Sequence, residues 1–487
     1  MNKIDWLLVS EIAYMLVLVV VCLRIIYDTR TTSKALSYLL FAIFVPFFGM
    51  LIYFLFGTNY RKRKIYSKKL TQNDRLAERM KSEIYQSSRQ TFAECDASVE
   101  SNRQLAYMLL KETTSPLTSG NSVRLLVNGE NKFPEVLQAL KEAKRHIHIE
   151  YYIFEDEEIG RQIAEILIER ALAGVEVRFI YDDFGSRSIR KKLVPGMIEN
   201  GVKAFAFFRI YFIPFANRIN YRNHRKIIVI DGKTGFVGGI NVSDRYINQV
   251  NSKKLFWRDT HLRIDGPGVH YLQYLFLCDW NFCADDRVEP DRSLFPPLNG
   301  YERKDDKVVQ IAASGPDSEM PSILFSLLKA VSLAKKEILI STPYFIPGDG
   351  LLEALMIASL SGLSVKLLVP GESDSAFVNA AARSFYSDLL NAGVEIYLYR
   401  KGFLHAKTMV TDASIAIVGT ANMDFRSFDL NFEVNAIVYD EEFASQLADV
   451  FYEDIKDAEK IDPLLWNERS AFKQLLEKTA RLVSPLL

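Results

Sequence analysis

The first sixty residues carry two long runs of apolar side chains. Trp6 to Tyr27 is almost unbroken in its hydrophobicity, and Ala35 to Phe56 is a second run of similar length. About 20 apolar residues suffice for a helix to cross the hydrocarbon core of a bilayer. The pattern therefore predicts two transmembrane helices within residues 1–59, joined by a tight turn. A re-entrant hairpin that never reaches the far side is the alternative.

A basic cluster follows the second apolar run. Residues 61–64 read Arg-Lys-Arg-Lys, and two further lysines stand at positions 68 and 69. The positive-inside rule places such a cluster, and the chain after it, on the cytoplasmic side of the membrane. The same charges attract anionic lipid headgroups. We therefore expect a multi-pass protein of the inner (cytoplasmic) membrane, with a polar connector over residues 60–120 and folded domains in the cytoplasm.

From residue 121 onward the pattern of strands and helices occurs twice. Apolar runs typical of buried strands alternate with the three-to-four spacing of covering helices. The clearest pair is His146 to Phe154, which matches Glu337 to Ile346 as far as its aromatic end. Such a repeat predicts two tandem α/β domains, over residues 121–300 and 301–487, each with a sheet flanked by helices.

Each half contains one histidine motif at a matching position. The two copies are His224, Lys226, Asp231 and Asn241, and His405, Lys407, Asp412 and Asn422. Residues two apart in a strand share a face, so each histidine points the same way as its lysine. Each aspartate lies at an odd offset, and strand parity assigns it a role in the fold. A lysine that neutralises charge beside a histidine that attacks or carries a proton suits a phosphate substrate.

Composition changes this picture in two respects. Sixty basic residues balance sixty acidic residues, so no overall field favours nucleic acid. The four cysteines lack the spacing of a metal site or a disulfide framework. The remaining histidines have no lysine at the motif offset, and we expect them to be core or edge residues; they are His146, His148, His261 and His270.

The motifs and the sequence around them resemble the HKD motifs of the phospholipase D superfamily and, within it, the bacterial cardiolipin synthases. The resemblance rests on FLHAKTMVTD, VGTANMDFRSF, LNFEVNA, STPYFIP and WRDTHLRIDGPGV. It extends to LIYFLFG near the N-terminus and to ARLVSPLL at the C-terminus. It therefore covers nearly the whole chain.

This resemblance implies two phospholipase D-like domains that face each other across a pseudo-two-fold axis. Each domain would contribute one histidine to a shared active site. One histidine, with His224 favoured, would attack a phospholipid phosphorus, and His405 would protonate the departing glycerol. Both substrates would be phosphatidylglycerol, and the products would be cardiolipin and glycerol. Two lysines and two asparagines would hold the phosphate oxygens without a metal or another cofactor; these are Lys226, Lys407, Asn241 and Asn422.

The resemblance also implies an acidic residue beyond each motif that supports the catalytic histidine. It assigns Asp259 to His224 and Glu433, in LNFEVNA, to His405. Such a carboxylate fixes the imidazole tautomer and stabilises the imidazolium.

Other functions would preserve parts of this pattern. A hydrolytic phospholipase D, or a transferase that uses another donor or alcohol such as phosphatidylethanolamine, would retain both motifs. A nuclease of the superfamily would be expected to carry a basic groove. A non-enzymatic membrane scaffold would have no need for two intact His-Lys pairs.

Two further segments carry predictions about the membrane. Arg209 to Arg222 has no counterpart of equal length in the second half, and its aromatic residues and arginines suit the membrane interface. Packing on the domain core is the alternative for that segment. Trp466 to Leu487 has helical apolar spacing, so we expect it to pack on the globular body, with a membrane-surface helix as the alternative.

Overall fold

A computed structural model describes residues 6–29, 32–45, 47–54, 84–94, 97–208, 221–249, 254–289, 291–296 and 305–483. The basic cluster at residues 61–69 lies outside these described residues. So does most of the segment from Arg209 to Arg222, of which Tyr221 and Arg222 are described.

Helices and strands alternate through the two repeats. The helices include α1 (Trp6–Asp28), α2 (Thr32–Phe44), α3 (Phe48–Ile52), α4 (Ala97–Ser101), α5 (Arg103–Thr113), α6 (Asn128–Lys141), α7 (Glu158–Leu172), α8 (Leu193–Glu199), α9 (Val269–Cys283), α10 (Ser322–Leu333), α11 (Gly348–Leu360), α12 (Ala376–Arg383), α13 (Tyr386–Asn391), α14 (Phe425–Asp429), α15 (Glu441–Lys456), α16 (Pro463–Asn467) and α17 (Ala471–Val483).

The strands of the first repeat are β1 (Thr118–Val127), β2 (His146–Tyr151), β3 (Glu176–Asp182), β4 (Lys203–Phe207), β5 (Arg222–Asn223), β6 (Lys226–Ile230), β7 (Thr234–Gly238), β8 (Phe256–Arg258) and β9 (Thr260–Asp265). Those of the second repeat are β10 (Lys307–Ser314), β11 (Glu337–Ser341), β12 (Phe345–Ile346), β13 (Ser364–Pro370), β14 (Glu395–Tyr399), β15 (Gly402–Leu404), β16 (Thr408–Thr411), β17 (Ile415–Gly419), β18 (Met423–Asp424), β19 (Asn431–Tyr439) and β20 (Ala458–Lys460).

The strand order confirms the predicted repeat and its pseudo-two-fold relation. One mixed sheet runs β20-β14-β13-β11-β16-β17-β19-β10-β1-β9-β7-β6-β2-β3-β4 through both halves. β1 and β10 pair antiparallel at the junction of the halves. From that junction the two halves present corresponding strands in the same order outward, so a pseudo-two-fold axis lies between β1 and β10. The halves therefore bring equivalent loops to a common edge.

Helices cover both faces of the sheet, which explains why side chains on both faces of strands such as β2, β6 and β10 are buried. α9 and α15 pack on one face through residues such as Leu272 and Leu447. The other face is covered by α6 and α7 in the first half and by α10 and α11 in the second. Strands buried on both faces need continuous apolar runs, because no side of the strand meets water. His148 and His261 are buried in this sheet, which confirms the prediction for these two histidines.

The two motif aspartates close the turns that follow the motif strands. Asp231 and Asp412 adopt left-handed backbone conformations, with φ of 55° and 54°. The carboxylate of Asp231 accepts hydrogen bonds from the backbone N–H groups of residues 144–146, at 2.7–3.0 Å. The carboxylate of Asp412 does the same for residues 335–337, at 2.7–2.9 Å. Each aspartate thus fixes the start of β2 or β11, which is the structural role that strand parity predicts.

The N-terminal region differs from the prediction of two spanning helices. α1, with 23 residues, is the one described helix that is long and apolar enough to cross a bilayer. The second apolar run is not one helix, because α2 ends at Phe44 and the chain reverses before α3. A Cβ atom at Gly49 would lie 2.0 Å from the carbonyl oxygen of Phe41, so only glycine permits this reversal. Pro46, which cannot continue a helix, stands at the break in the sequence.

The reversed segment returns to the end of α1. The hydroxyl of Tyr53 donates to the carboxylate of Asp28 at 3.2 Å. The hydroxyl of Ser37, near the start of α2, donates to the carbonyl of Leu482 in α17 at 2.8 Å. The start of α2 therefore lies beside the globular body. Two full spans would instead place it on the far side of the membrane.

The described end of the connector packs as part of the second half. Leu105, Leu109 and Leu110 of α5 are buried in the same core as α10 and α11. The side-chain amide of Gln310 in β10 donates to the backbone carbonyls of Ala106 and Ser115. This segment thus leads directly from α5 into β1, which begins at Thr118.

Replacing Asp412 with Ala should lower the stability of the chain. The substitution removes the acceptor of three backbone N–H groups and strains a left-handed position, which costs about 1–3 kcal/mol. Asp412→Asn should cost less, because asparagine keeps one oxygen and tolerates the left-handed conformation. Thermal unfolding of the detergent-solubilised protein measures both changes. Equal melting temperatures for the wild type and Asp412→Ala would contradict this role.

Candidate active site

The two motif histidines are each positioned by a strand of the opposite half. β5, which leads into His224, pairs with the start of β19 in the second half. β15, which leads into His405, pairs with β8 in the first half. The backbone N–H of His224 donates to the carbonyl of Phe432, and that of His405 donates to the carbonyl of Arg258. The short strands before the motifs are thus exchanged across the pseudo-two-fold axis.

This exchange crosses the carboxylate partners of the histidines. Nδ1 of His224 lies 2.9 Å from Glu433 Oε2, and Nδ1 of His405 lies 2.6 Å from Asp259 Oδ2. The predicted assignment of Asp259 to His224 and Glu433 to His405 is therefore wrong, although all four residues belong to one site. Each acid directly follows the residue whose carbonyl binds the histidine of the other half. A repeat read along the sequence shows matching positions but not which strands pair.

The histidines are buried and neutral at pH 7. Burial lowers the pKa of His224 to about 4, although Glu433 opposes this shift. Burial and then Lys407 lower the pKa of His405 to about 3, against the opposing effect of Asp259. With each Nδ1–H donated to a carboxylate, the lone pair of Nε2 is available for attack.

The two carboxylates are ionised. Burial disfavours the charge of Asp259, but Lys407 and His405 outweigh it and hold the pKa of this carboxyl below its ordinary value. Burial likewise disfavours the charge of Glu433, and His224 and Lys226 outweigh it, so its pKa is also lowered. An ionised carboxylate behind each imidazole can stabilise the imidazolium that forms when the ring takes up a proton.

Both motif lysines lie beneath the histidines. Nζ of Lys226 donates to the backbone carbonyl of His224 at 2.8 Å, and Nζ of Lys407 donates to that of His405. Burial lowers the pKa of Lys226 to about 7 and that of Lys407 to about 8. The lysines thus place positive charge between the two imidazoles without forming the wall of the cleft.

The histidines open into one cleft of about 420 Å³ between the halves. Its walls include Tyr152, Arg222, His224, Asn241, Arg245, Tyr246, Trp257, Tyr344, Asp374, Val378, His405, Asn422, Asp424, Arg426 and Asn431. Both predicted phosphate-binding asparagines therefore face the cleft. The amide of Asn241 donates to the hydroxyl of Tyr246 at 2.9 Å, and Oδ1 of Asn422 is buried without a partner among the described residues. Asp231 and Asp412 lie away from the cleft, at the turns described above.

Three arginines on the cleft wall were not singled out as site residues from the sequence. They are Arg222, Arg245 and Arg426. Arg222 stands two residues before His224, on the same strand face, so strand parity could have found it. Arg245 lies in a short 3-10 helix after Asn241, and Arg426 lies in α14 after Asn422; neither gave a periodic signal in the sequence. Together they add positive charge to a cleft that also contains Asp374 and Asp424.

The two ends of the cleft are not equivalent. Around His405, the rings of Trp257 and Phe403 lie 5.7 Å and 5.9 Å from the imidazole. The pairing register makes Arg222 the counterpart of Phe403 and Asn431 the counterpart of Trp257. The residues at corresponding positions therefore differ between the two ends of the cleft, although an aromatic ring, that of Tyr152, also lies 4.8 Å from the imidazole of His224.

A buried polar network supports the loop that carries His224. The backbone N–H of Asn223 donates to Asp182 at 3.1 Å, and its side-chain amide donates to Glu150. Arg225 forms a buried ion pair with Asp279. These contacts fix the residues on both sides of the histidine. Among the described residues, no group of three or more His, Cys, Asp or Glu side chains is arranged to hold a metal ion.

Comparison with known proteins gives consistent matches to one family. The profile described as "Cardiolipin synthase, PLD-like domain" matches residues 136–262 and 327–455. The profile "Phospholipase_D-nuclease N-terminal" matches residues 15–57. A cardiolipin synthase of Listeria monocytogenes serovar 1/2a is 39% identical over 485 residues, which cover 98% of this chain and 99% of the relative.

A second relative and a solved structure agree. The major cardiolipin synthase ClsA of Bacillus subtilis is 40% identical over 463 residues, covering 94% of this chain and 95% of the relative. Among solved structures, the phosphatidylserine synthase of Haemophilus influenzae has a TM-score of 0.56 and 15% identity, covering 79% of this chain and 100% of that chain. At this identity the solved structure supports the fold alone.

The crossed pairing predicts which histidine responds to each acid variant. Glu433→Gln should perturb the imidazole nitrogen signals of His224, and Asp259→Asn those of His405, in ¹⁵N-histidine NMR spectra of the solubilised protein. Each variant should also lose roughly 10²- to 10⁴-fold in turnover, because an imidazolium loses its support. Thr420→Val, which removes a hydroxyl that donates to the same Glu433 oxygen but leaves the carboxylate in place, should perturb the His224 signals less than Glu433→Gln does. Perturbation of the opposite histidines would contradict the crossed pairing.

Proposed function

Because this chain belongs to the cardiolipin synthase family of the phospholipase D superfamily, we propose that it joins two phosphatidylglycerol molecules. One molecule donates its phosphatidyl group, and a hydroxyl of the second accepts it. The products are cardiolipin and glycerol.

The observation that supports this reaction best is the pair of neutral imidazoles, each held by an ionised carboxylate, on one cleft. A double displacement at phosphorus needs a nucleophile on one side and a proton carrier on the other. Two histidines with identical support can take these two roles, and the lysines beneath them attract the phosphate.

The proposed reaction proceeds in two balanced steps. Nε2 of His224 attacks the phosphorus of the donor lipid, and the bond from phosphorus to the glycerol oxygen breaks. His405 enters this step with a proton on Nε2, as the imidazolium that Asp259 stabilises when the anionic lipid occupies the cleft, and it gives that proton to the departing glycerol oxygen. His405 then accepts a proton from the hydroxyl of the second phosphatidylglycerol, whose oxygen attacks the phosphorus. The bond to His224 breaks, and the free imidazole is restored.

The remaining motif residues have proposed roles in binding the phosphate. Lys226 and Lys407 supply positive charge from below, where low dielectric strengthens their effect on the phosphate oxygens. Asn241 and Asn422 lie on the wall and can donate amide hydrogen bonds to those oxygens. The wall arginines favour anionic headgroups, which agrees with a phosphatidylglycerol substrate.

We further propose that the protein is integral to the cytoplasmic membrane through α1. The α2–α3 hairpin enters the bilayer and returns on the side of the globular body. Its two ends lie on that side, since Ser37 contacts α17 and Tyr53 contacts Asp28. α2 has 13 residues, which is too short to span the hydrocarbon core. The basic cluster at residues 61–69 assigns the globular body to the cytoplasm by the positive-inside rule.

Lipid analysis after incubation with phosphatidylglycerol vesicles tests the proposed reaction. Purified protein should convert the lipid into cardiolipin and release one glycerol for each cardiolipin. His224→Ala and His405→Ala should each reduce turnover by at least 10³-fold, since each removes one half of the displacement. His270→Ala is the matched control, because His270 lies outside the cleft.

The outcome distinguishes the alternatives. Phosphatidic acid without cardiolipin would identify a hydrolase. Cardiolipin formed only when phosphatidylethanolamine is added would identify a different donor. Full activity in either motif variant would contradict the shared site.

A further inference from the structure

Helix α17 turns its apolar side away from the protein. Its large apolar residues recur at three- and four-residue spacing and so share one side of the helix: Phe472, Leu475, Leu476 and Leu482. These side chains are 53–71% exposed, and Leu464 and Leu465 of α16 are 77% and 66% exposed. We call these six side chains the outer face. The tail does pack on the globular body, as predicted, through Trp466 and Ala480, whereas these six apolar side chains are exposed.

The side of α17 that contacts the body has charged residues next to one small apolar residue, Ala480. Glu477 is buried and forms ion pairs with Arg383 of α12 at 3.2 Å and Arg469 at 2.9 Å. Arg481 pairs with Asp388 of α13 at 3.0 Å. A surface helix in water has the reverse orientation, with apolar residues inward and charges outward. These ion pairs stabilise α17 in this orientation, so the outward position of its apolar side chains is part of the fold.

The charges beside the outer face suit a lipid surface. At 100° per residue, Lys473 and Lys478 project on either side of the apolar stripe. Both are exposed. Lysines in this arrangement can reach anionic headgroups while the apolar stripe enters the acyl boundary. No acidic residue of α17 lies on the stripe, because Glu477 faces the body.

The outer face is continuous with the N-terminal membrane segment. The carbonyl of Leu482, at the end of α17, accepts the hydrogen bond from Ser37 of α2. α2 packs in turn on α1, through residues such as Val21 and Ala42. The apolar side chains along α1 are exposed in the same manner as the outer face. A bilayer that surrounds α1 and α2 would therefore meet α17 at its surface.

The same helix stands next to the cleft. α17 packs on α12, and the ion pair of Arg383 with Glu477 joins the two helices. Ser375 and Val378, at the start of α12, line the cleft. Phe377, between them, is exposed. One short helix thus separates the outer face from the site that binds the lipid headgroup.

We propose that the outer face of α16 and α17 lies in the interfacial layer of the bilayer and holds the cleft mouth against the membrane. Its occupant is anionic lipid, with the six apolar side chains among the acyl chains and the two lysines at headgroup depth. This contact orients the globular body, which α1 alone would leave free to tilt. It also shortens the path of a phospholipid into the cleft.

Tryptophan quenching by lipids with brominated chains tests this contact in the full-length protein. Leu476→Trp and, as matched control, Leu172→Trp are reconstituted into phosphatidylglycerol vesicles with and without brominated chains. Leu172 is 70% exposed, at the end of α7 that points away from the cleft edge of the sheet. The added emission of Leu476→Trp, over that of the wild type, should fall at least twofold in brominated vesicles. That of Leu172→Trp should not change.

The result can be interpreted whether or not the protein makes cardiolipin, because quenching needs no turnover. Equal responses at the two positions would overturn the proposal. The proposal would also be overturned if the tryptophan of Leu476→Trp became shielded from water in the absence of lipid, and more so at higher protein concentration. A second copy of the chain would then cover the outer face. Unchanged circular dichroism establishes that each variant is folded.

A second variant tests the link to lipid entry. Leu475→Gln/Leu476→Gln should reduce turnover on vesicles about fivefold, while Leu172→Gln retains the wild-type rate. In mixed micelles of the same lipid with detergent, the double variant should regain at least half of the wild-type rate, since no bilayer needs to be approached. A wild-type rate on vesicles, or an equal loss in micelles, would overturn the role in lipid entry.

Discussion

The structure depends on two imidazole–carboxylate hydrogen bonds that cross between its halves. Glu433 holds His224, and Asp259 holds His405. Both bonds are buried, and removal of either histidine would leave a buried carboxylate without that hydrogen-bond donor, at a cost of about 1–3 kcal/mol. Neither half can therefore assemble its histidine alone. The exchange of β5 and β15 and the pairing of β1 with β10 can be understood as the scaffold that makes the crossing possible.

The crossed arrangement also explains how two near-identical motifs can perform different tasks. Each histidine has the same partners, a carboxylate at Nδ1 and a lysine below, so either is chemically able to attack or to carry a proton. The difference comes from the walls. Arg222 and Asn431 line the cleft at corresponding positions near His224, and Trp257 lines it near His405. A symmetric catalytic pair inside an asymmetric cleft suits a reaction that joins two copies of one lipid in unequal roles.

Much of this arrangement could be predicted from the sequence, since it rests on local periodicity and repetition. The two domains, the motif histidines, the lysines on their faces and the fold role of Asp231 and Asp412 all follow from strand parity and the repeat. The partner of each acid could not be predicted, because strand exchange is a long-range choice that leaves no period. Hydropathy alone also missed the reversal between α2 and α3, where the close approach of Gly49 to Phe41 leaves no room for a side chain. The inverted orientation of α17 depends on ion pairs with α12 and α13 that helical spacing does not reveal.

The central claim is that the two histidines are halves of one site, and the stoichiometry of the covalent intermediate tests it most directly. Protein mixed with phosphatidylglycerol is quenched in alkaline denaturant, where a phosphorus–nitrogen bond survives, and its peptides are analysed by mass spectrometry. One shared site predicts at most one phosphatidyl group per chain, on His224 and not on His405. Chains that carry phosphatidyl groups on both histidines would show two independent sites and would contradict the account.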